Sequence, residues 1–231
     1  METRTFDTLG VTSSLLGFGA MRLPLTKGGT IDEPKAEEMM DLAIKSGVNY
    51  IDTAYPYHGG TSEAFVGKVM KKYPRKSFLL ATKLPCWQVD SLDDAKRIFN
   101  EQLERLEMEY VDFYLLHSID GAVFDKMVGL GILTYLEELK SEGKIRYIGF
   151  SFHSIYEDFE RILSSYHWDF CQIQYNYLDT EEQAGTKGYL LAEKMDIPVI
   201  VMEPIKGGSL AALPPDMLHK LSGLDANATS A

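Results

Sequence analysis

Seven short apolar runs, beginning at Leu15, Asn49, Phe78, Val111, Tyr147, Phe170 and Val199, recur at roughly thirty-residue intervals, each followed by a helix-like segment. Two parallel strands cannot be joined by a tight turn; they need a crossover of about a dozen residues or more, usually a helix. This spacing therefore selects repeated strand–helix units and a parallel sheet. Seven units predict an α/β fold of the (β/α)8 TIM barrel type whose last β/α unit is missing from the chain. Such a sheet leaves edges at 15–19 and 199–202, which invites association. The final residues Asn227-Ala228-Thr229-Ser230-Ala231 include helix-capping types with no helix after them, so the expectation is a truncated form of a longer protein, or a defective remnant.

Local patterns fill in the frame. Residues 5–13 alternate around Leu9-Gly10 and predict an N-terminal hairpin that caps the closed end of the barrel. Leu15-Leu16-Gly17-Phe18-Gly19 reads as a buried strand. Asp32 is a candidate cap for a helix with Pro34 in its first turn and Met39, Met40, Ala43 and Ile44 as its apolar stripe. Thr61-Ser62-Glu63 opens a second helix, and Ser91 with Asp94 forms a capping pattern for a third. Further helices are expected over 131–143, 155–163 and 188–195. No linker divides residues 1–231, which read as one domain.

The formal charge of −11, from 23 basic and 34 acidic residues, repels nucleic-acid phosphates and anionic lipid, so neither nucleic acid nor membrane is expected as a partner. Cys86 and Cys171 lie far apart and form no metal or disulfide pattern, which fits a reduced, cytoplasmic setting. No apolar run is long enough to span a bilayer.

The chemistry is expected where the strands end. In a parallel barrel, side chains from several strand tips converge at one face while the sheet holds them in place. Asp52 ends the second run and Tyr57 follows it; Lys83 ends the third and His117 the fourth. A tyrosine hydroxyl, with an ordinary pKa of ~10, becomes a better proton donor when an ammonium stabilises its phenolate. This assigns Tyr57 as general acid, Lys83 as the group that lowers its pKa, Asp52 as the anchor of Lys83, and His117 as a donor to a substrate carbonyl. Proton transfer alone contributes ~10²–10⁴-fold, so a hydride from a nicotinamide would complete a carbonyl reduction.

Asp52-Thr53-Ala54-x-x-Tyr57, Ala81-Thr82-Lys83, Leu115-Leu116-His117, Ile148-Gly149-Phe150-Ser151 and Gln172-Ile173-Gln174-Tyr175-Asn176 together resemble the aldo-keto reductase family, in order and over essentially the whole chain. The resemblance implies a (β/α)8 barrel, use of NADPH (NADP) without a Rossmann domain, and reduction of an aldehyde or ketone, a small-molecule carbonyl substrate, to an alcohol. It implies that Ser151 and Gln172 meet the nicotinamide carboxamide, with Asn176 near them. Phe152 stands where an asparagine is common, and Met202 where many members place a tyrosine on the nicotinamide ring. Pro204, Lys206, Gly207 and Gly208 match the loop near the cofactor pyrophosphate. The family's adenosine-phosphate clamp lies beyond the last strand, and so does the cysteine-rich iron–sulfur tail of similar members; the chain contains neither.

Other readings stay open. Lys83 in a desolvated pocket also suits a Schiff-base lyase, and the barrel also suits a non-catalytic subunit that binds cofactor to sense it. His58, His153, His167 and His219 read as surface or structural residues, and a metal site from His58, Cys86 and His117 has no regular ligand spacing to support it. Substrate identity and oligomeric state are not written in the residues.

Overall fold

The computed structural model describes residues 1–211. The terminal capping residues 227–231 and His219 lie outside the described residues. A hairpin comes first, β1 (Thr3–Phe6) against β2 (Val11–Ser14), closed by the Leu9 N–H donating to the Phe6 carbonyl at 2.9 Å. The main sheet then follows as β3 (Phe18–Gly19), α1 (Glu33–Lys45), β4 (Tyr50–Asp52), α2 (Ser62–Met70), β5 (Leu79–Leu84), α3 (Leu92–Leu106) and β6 (Val111–Ile119). It continues through α4 (Gly121–Gly129), α5 (Ile132–Ser141), β7 (Ile145–Phe152), α6 (Tyr156–Ser164), β8 (Phe170–Gln174), α7 (Gly185–Lys194) and β9 (Val199–Met202). Its seven strands lie in chain order from β3 to β9, every pair parallel, as the sequence spacing requires.

Alternation along the strands sorts the side chains into two cores. Ile51, Leu80, Tyr114, Leu116, Ile148, Phe150, Phe152, Cys171 and Ile173 face outward into the layer shared with the helices. Tyr50, Ala81, Phe113, Leu115 and Phe170 form a separate inner cluster, with Tyr147 beside it and Phe6, Leu9 and Val11 of the hairpin packed against it. The hairpin therefore plugs the end of the sheet from which the strands start, and the Tyr147 hydroxyl donates to the Leu9 carbonyl at 3.1 Å. Phe113 meets Tyr50 and Phe170 edge-on, at 5.3 and 4.9 Å, contacts worth about 0.5–1.5 kcal/mol each beyond burial. Gly149 is required here: a Cβ would lie 2.6 Å from Phe170 Cζ. Because side chains alternate with period two, residues two or four positions beyond this inner floor share its face. Asp52, Lys83, His117, Ser151 and Gln172 are those residues.

Several local expectations need correction. Leu15 and Leu16 are exposed, and the strand is only Phe18–Gly19, with Phe18 half-buried and Gly19 exposed. Met39 is likewise exposed, while Ala36 and Met40 carry the buried face of α1. Asp32 precedes α1 without a side-chain capping bond; the proline in the first turn is present as expected. The connection from β6 to β7 holds two helices, not one. The glycines of α4 and of the Gly129-Leu130-Gly131 junction hide its apolar period, and the visible signal is Asp120, whose carboxylate accepts from the Val123 N–H at 2.8 Å.

Among the described residues β3 and β9 each pair on one side only. The loops that follow them nevertheless meet, through an ion pair between Arg22 and Glu203 at 3.3 Å. Leu190, Met195 and Val201 are exposed on the β9 side of the sheet. No helix among the described residues is long and apolar enough to cross a membrane.

Candidate active site

Asp52 leaves β4 pointing inward, and the chain then turns through Tyr57–Gly60. This turn places His58 and Gly59 in the left-handed region, at φ 52° and 65°. Glycine adopts that conformation freely, but His58 needs outside support. Its Nε2 supplies it by accepting from the Leu23 N–H at 3.2 Å, so His58 is structural, as expected from the sequence. Arg105 of α3 lies over the Tyr55 ring at 4.0 Å, and Glu101 accepts from the Tyr55 hydroxyl at 2.6 Å. The loop carrying Tyr57 is therefore held from behind.

Lys83 is almost fully enclosed, at 1% exposure. All three ammonium donors have acceptors: Asp52 Oδ1 at 2.5 Å, the Thr53 carbonyl at 2.9 Å and the Tyr57 hydroxyl at 3.3 Å. Burial by itself pushes its pKa down, but Asp52 and Tyr57 reverse this, and the net direction is up. Lys83 stays charged. The Tyr57 ring packs edge-on to His117, with ring centroids 5.8 Å apart.

The sequence reading expected the ammonium to lower the pKa of Tyr57, and Lys83 does pull it down, but other contributions prevail. Burial raises it, Lys83 opposes, Asp52 adds to the rise, and the net shift is upward. Desolvation of the phenolate outweighs one ammonium that is already shared with a carboxylate. Tyr57 is thus a fully protonated donor at neutral pH. His117 goes the other way: burial, then Lys83 and His153, push its pKa down to about 3, so the imidazole is neutral. Its Nδ1 is buried without a partner among the described residues. Trp87, just beyond β5, tilts against His117 with ring centroids 5.1 Å apart.

Ser151 and Gln172 are register partners across β7 and β8. Ser151 Oγ accepts from the Ser118 N–H at 2.8 Å and keeps its own proton free to donate. Gln172 Nε2 donates to Asp52 Oδ2 at 3.0 Å, and its Oε1 is buried with no partner among the described residues. A buried acceptor left open beside a hydroxyl donor fits a primary amide, which offers N–H groups and a carbonyl; the nicotinamide carboxamide is such a group.

The remaining residues assigned from sequence sit further round the mouth. Asn176 Oδ1 accepts from the backbone of Leu178 and Asp179, and its Nδ2 donates to Asp179 Oδ2 at 2.8 Å. It is occupied in building the turn after β8. Lys206 Nζ pairs with Asp179 Oδ1 at 2.8 Å, so the cation expected to face a pyrophosphate is engaged by a carboxylate. Met202, at the end of β9, pairs with Gln174; Pro204 is exposed, and Gly207 and Gly208 have φ of 66° and 98°. The sequence reading missed Asp179, Trp87, Gln174 and the Thr53 carbonyl. Gln174 could have been found from its i+2 relation to Gln172; the others need the fold.

A family profile described as the Aldo/keto reductase family matches residues 15–223. The chain is 36% identical over 155 residues to an L-galactose dehydrogenase of Arabidopsis thaliana, covering 64% of this chain and 48% of that protein. It is 30% identical over 168 residues to an NADH-specific methylglyoxal reductase of Escherichia coli, covering 64% and 51%. It thus spans about half the length of these curated relatives. Among solved structures, the holo form of the aldo-keto reductase AKR11C1 from Bacillus halodurans superimposes with a TM-score of 0.76 at 30% identity, over 96% of this chain and 76% of that one. The profile match over residues 15–223, together with that superposition, shows that this protein belongs to the aldo-keto reductase family.

Proposed function

We propose that the site reduces an aldehyde or ketone to an alcohol, with NADPH as hydride source and Tyr57 as proton donor. The observation that carries this reading is the enclosed Lys83 ammonium, held by Asp52 and in contact with the Tyr57 hydroxyl beside a neutral His117. A reduced nicotinamide, when bound, supplies hydride to the carbonyl carbon. Ser151 and Gln172 are the residues suited to hold its carboxamide, by the donor and the open acceptor described above. Tyr57 then gives its proton to the carbonyl oxygen, and the phenolate left behind is stabilised by Lys83, whose three acceptors keep it from wandering. His117, neutral, hydrogen-bonds the same oxygen without competing for the proton.

The protonated, fully engaged Lys83 weighs against the Schiff-base alternative, which needs a free amine. NADPH remains the proposal for the cofactor, although one relative is named NADH-specific. The experiment is a titration of the protein with NADPH and with NADH, following nicotinamide fluorescence and the thermal midpoint, followed by turnover of a carbonyl panel. NADPH is expected to raise the midpoint more than NADH does. Tyr57→Phe is expected to keep cofactor binding and lose ~10²–10⁴-fold in kcat. Turnover by Tyr57→Phe within tenfold of the parent would remove Tyr57 as the acid, and absence of any nicotinamide binding would remove the reductase reading.

A further inference from the structure

Glu63, the second residue of α2, has no exposed surface, an uncommon place for a carboxylate. Its partners reach it from the helix side of the sheet. Oε1 accepts from the Thr82 hydroxyl of β5 at 2.6 Å and from Gln102 Nε2 of α3 at 2.9 Å, and Oε2 accepts from Arg105 of the same helix at 3.4 Å. Every contact comes from a donor, a set that suits the ionised form. Burial raises the pKa of Glu63 above its ordinary value, and Thr82, Gln102 and Arg105 oppose that rise.

The donors that hold Glu63 also hold the main chain of the site. Side chains alternate along β5, so Thr82 faces α3 while the next residue, Lys83, faces the inner side. Gln102 Nε2 donates to the Lys83 carbonyl at 2.9 Å, and Gln102 Oε1 is fixed in turn by the buried Tyr114 hydroxyl at 2.6 Å. Arg105 donates to the Tyr55 carbonyl at 3.4 Å, with its guanidinium over the Tyr55 ring. Tyr55 stands two residues before Tyr57. One carboxylate therefore grips, through one intermediary each, the backbone of Lys83 and that of the loop carrying Tyr57. Those two residues meet at 3.3 Å, the longest of the three Lys83 ammonium contacts. A hydrogen bond of that length is near its limit, so a small shift of either element decides whether it exists.

We propose that Glu63 is a positioning residue that sets the distance between the Lys83 ammonium and the Tyr57 hydroxyl, by tying β5 to the Tyr57 loop through Gln102 and Arg105. Its catalytic consequence rests on the reductase reading of the same site. Glu63 lies on the helix side of the sheet and touches neither substrate nor nicotinamide. Its effect therefore falls on the proton-transfer step and leaves binding unchanged.

The test uses two variants. Glu63→Gln keeps the side-chain volume but sets an amide N–H among donors, and Arg105→Met leaves Glu63 with Thr82 and Gln102 while freeing the Tyr57 loop. With a carbonyl that the parent reduces, kcat is expected to be about 10–10²-fold lower in both, the cost of misplacing a reacting group by ~1 Å, with KM and nicotinamide affinity within about twofold of the parent. A lowered thermal midpoint with an unchanged kcat would make Glu63 merely structural. A KM or nicotinamide dissociation constant that rises in step with the fall in kcat would make it a binding residue. Either result overturns the proposal and leaves the reductase reading intact. A second readout needs no turnover: in protein isotope-labelled at tyrosine Cζ, the Tyr57 resonance, identified by its loss in Tyr57→Phe, reports the contact of its hydroxyl with Lys83. It is expected to move in both variants, toward its position in Lys83→Met, and an unmoved resonance overturns the proposal. A moved resonance in a protein that reduces no carbonyl supports the positioning while the reductase reading fails alone. If Glu63→Gln does not fold, Arg105→Met decides by the same two readouts.

Discussion

Asp52→Asn tests whether the centre of this site is a true buried ion pair. Lys83 is 1% exposed and Asp52 14%, with 2.5 Å between Nζ and Oδ1. Removing the charge of one member strands the other, which typically costs ~3–5 kcal/mol. The partial exposure of Asp52, and the oxygen that asparagine retains, favour the lower end, about 3 kcal/mol. For a chain of this size that lowers the thermal midpoint by roughly 6–12 °C. The pH dependence follows from the lysine. In the parent its folded pKa is raised above the ordinary 10.5, so its contribution is whole below that value and is lost only as pH rises through the folded value. In Asp52→Asn the burial that pushes the pKa down loses its main opponent. The folded pKa then drops below 10.5, the unfolded chain binds more protons between the two values, and the variant's deficit shrinks as pH rises from 7 toward 10. Urea unfolding of Asp52→Asn, Lys83→Met and the double variant, at pH 7 and pH 9.5, measures both effects. The double variant should be at least ~1.5 kcal/mol more stable than the sum of the single losses predicts. Additivity within ~0.5 kcal/mol, with a deficit insensitive to pH, would refute the reasoning.

Three further outcomes follow from other parts of the structure. His117, with its folded pKa pushed down to about 3, stays neutral while the unfolded chain protonates below ~6.5. Stability is therefore lost as pH falls from that value, by about 2 kcal/mol at pH 5, and His117→Gln should flatten the slope of urea midpoints between pH 7 and pH 5. A slope equal to the parent's would show that another group is responsible. At the opposite end of the sheet the fully buried Asp112 is held by Arg75 at 2.6 Å and Arg146 at 3.0 Å. Arg75→Ala should cost about 3 kcal/mol in chemical denaturation, and a loss below ~1 would mean that Arg146 and the Leu80 N–H suffice. Gly67 of α2 sits against the end of α3, where a Cβ would lie 2.6 Å from the Leu106 carbonyl carbon. Gly67→Ala should destabilise by ~1–3 kcal/mol in a thermal melt, and an unchanged midpoint would show that the two helices can part without cost.

Much of this protein could be read along the chain because two periodicities are local. The thirty-residue strand spacing reports parallel connectivity, since each crossover must be long enough to return to the same edge. The two-residue alternation reports which side chains share a face, and it brings Asp52, Lys83, His117, Ser151 and Gln172 onto one rim above Tyr50, Ala81, Phe113, Leu115 and Phe170. The pairing of Lys83 with Asp52 and Tyr57 was legible for the same reason. Helix α4 was not, because its glycines erase the apolar period that identifies a helix.

What the sequence by itself determined was therefore the order of the strands and the roster of residues at their tips. Tertiary structure alone decided how those residues are charged and engaged. Tyr57 has a raised pKa rather than a lowered one, because desolvation depends on everything packed around the ring and outweighs one shared ammonium. Lys206 faces Asp179, and His153 meets Gln183, because each pair joins loops that meet only once the sheet has curled. Connectivity and facing are properties of neighbours along a strand; ionisation and hydrogen-bond polarity are set by neighbours in space.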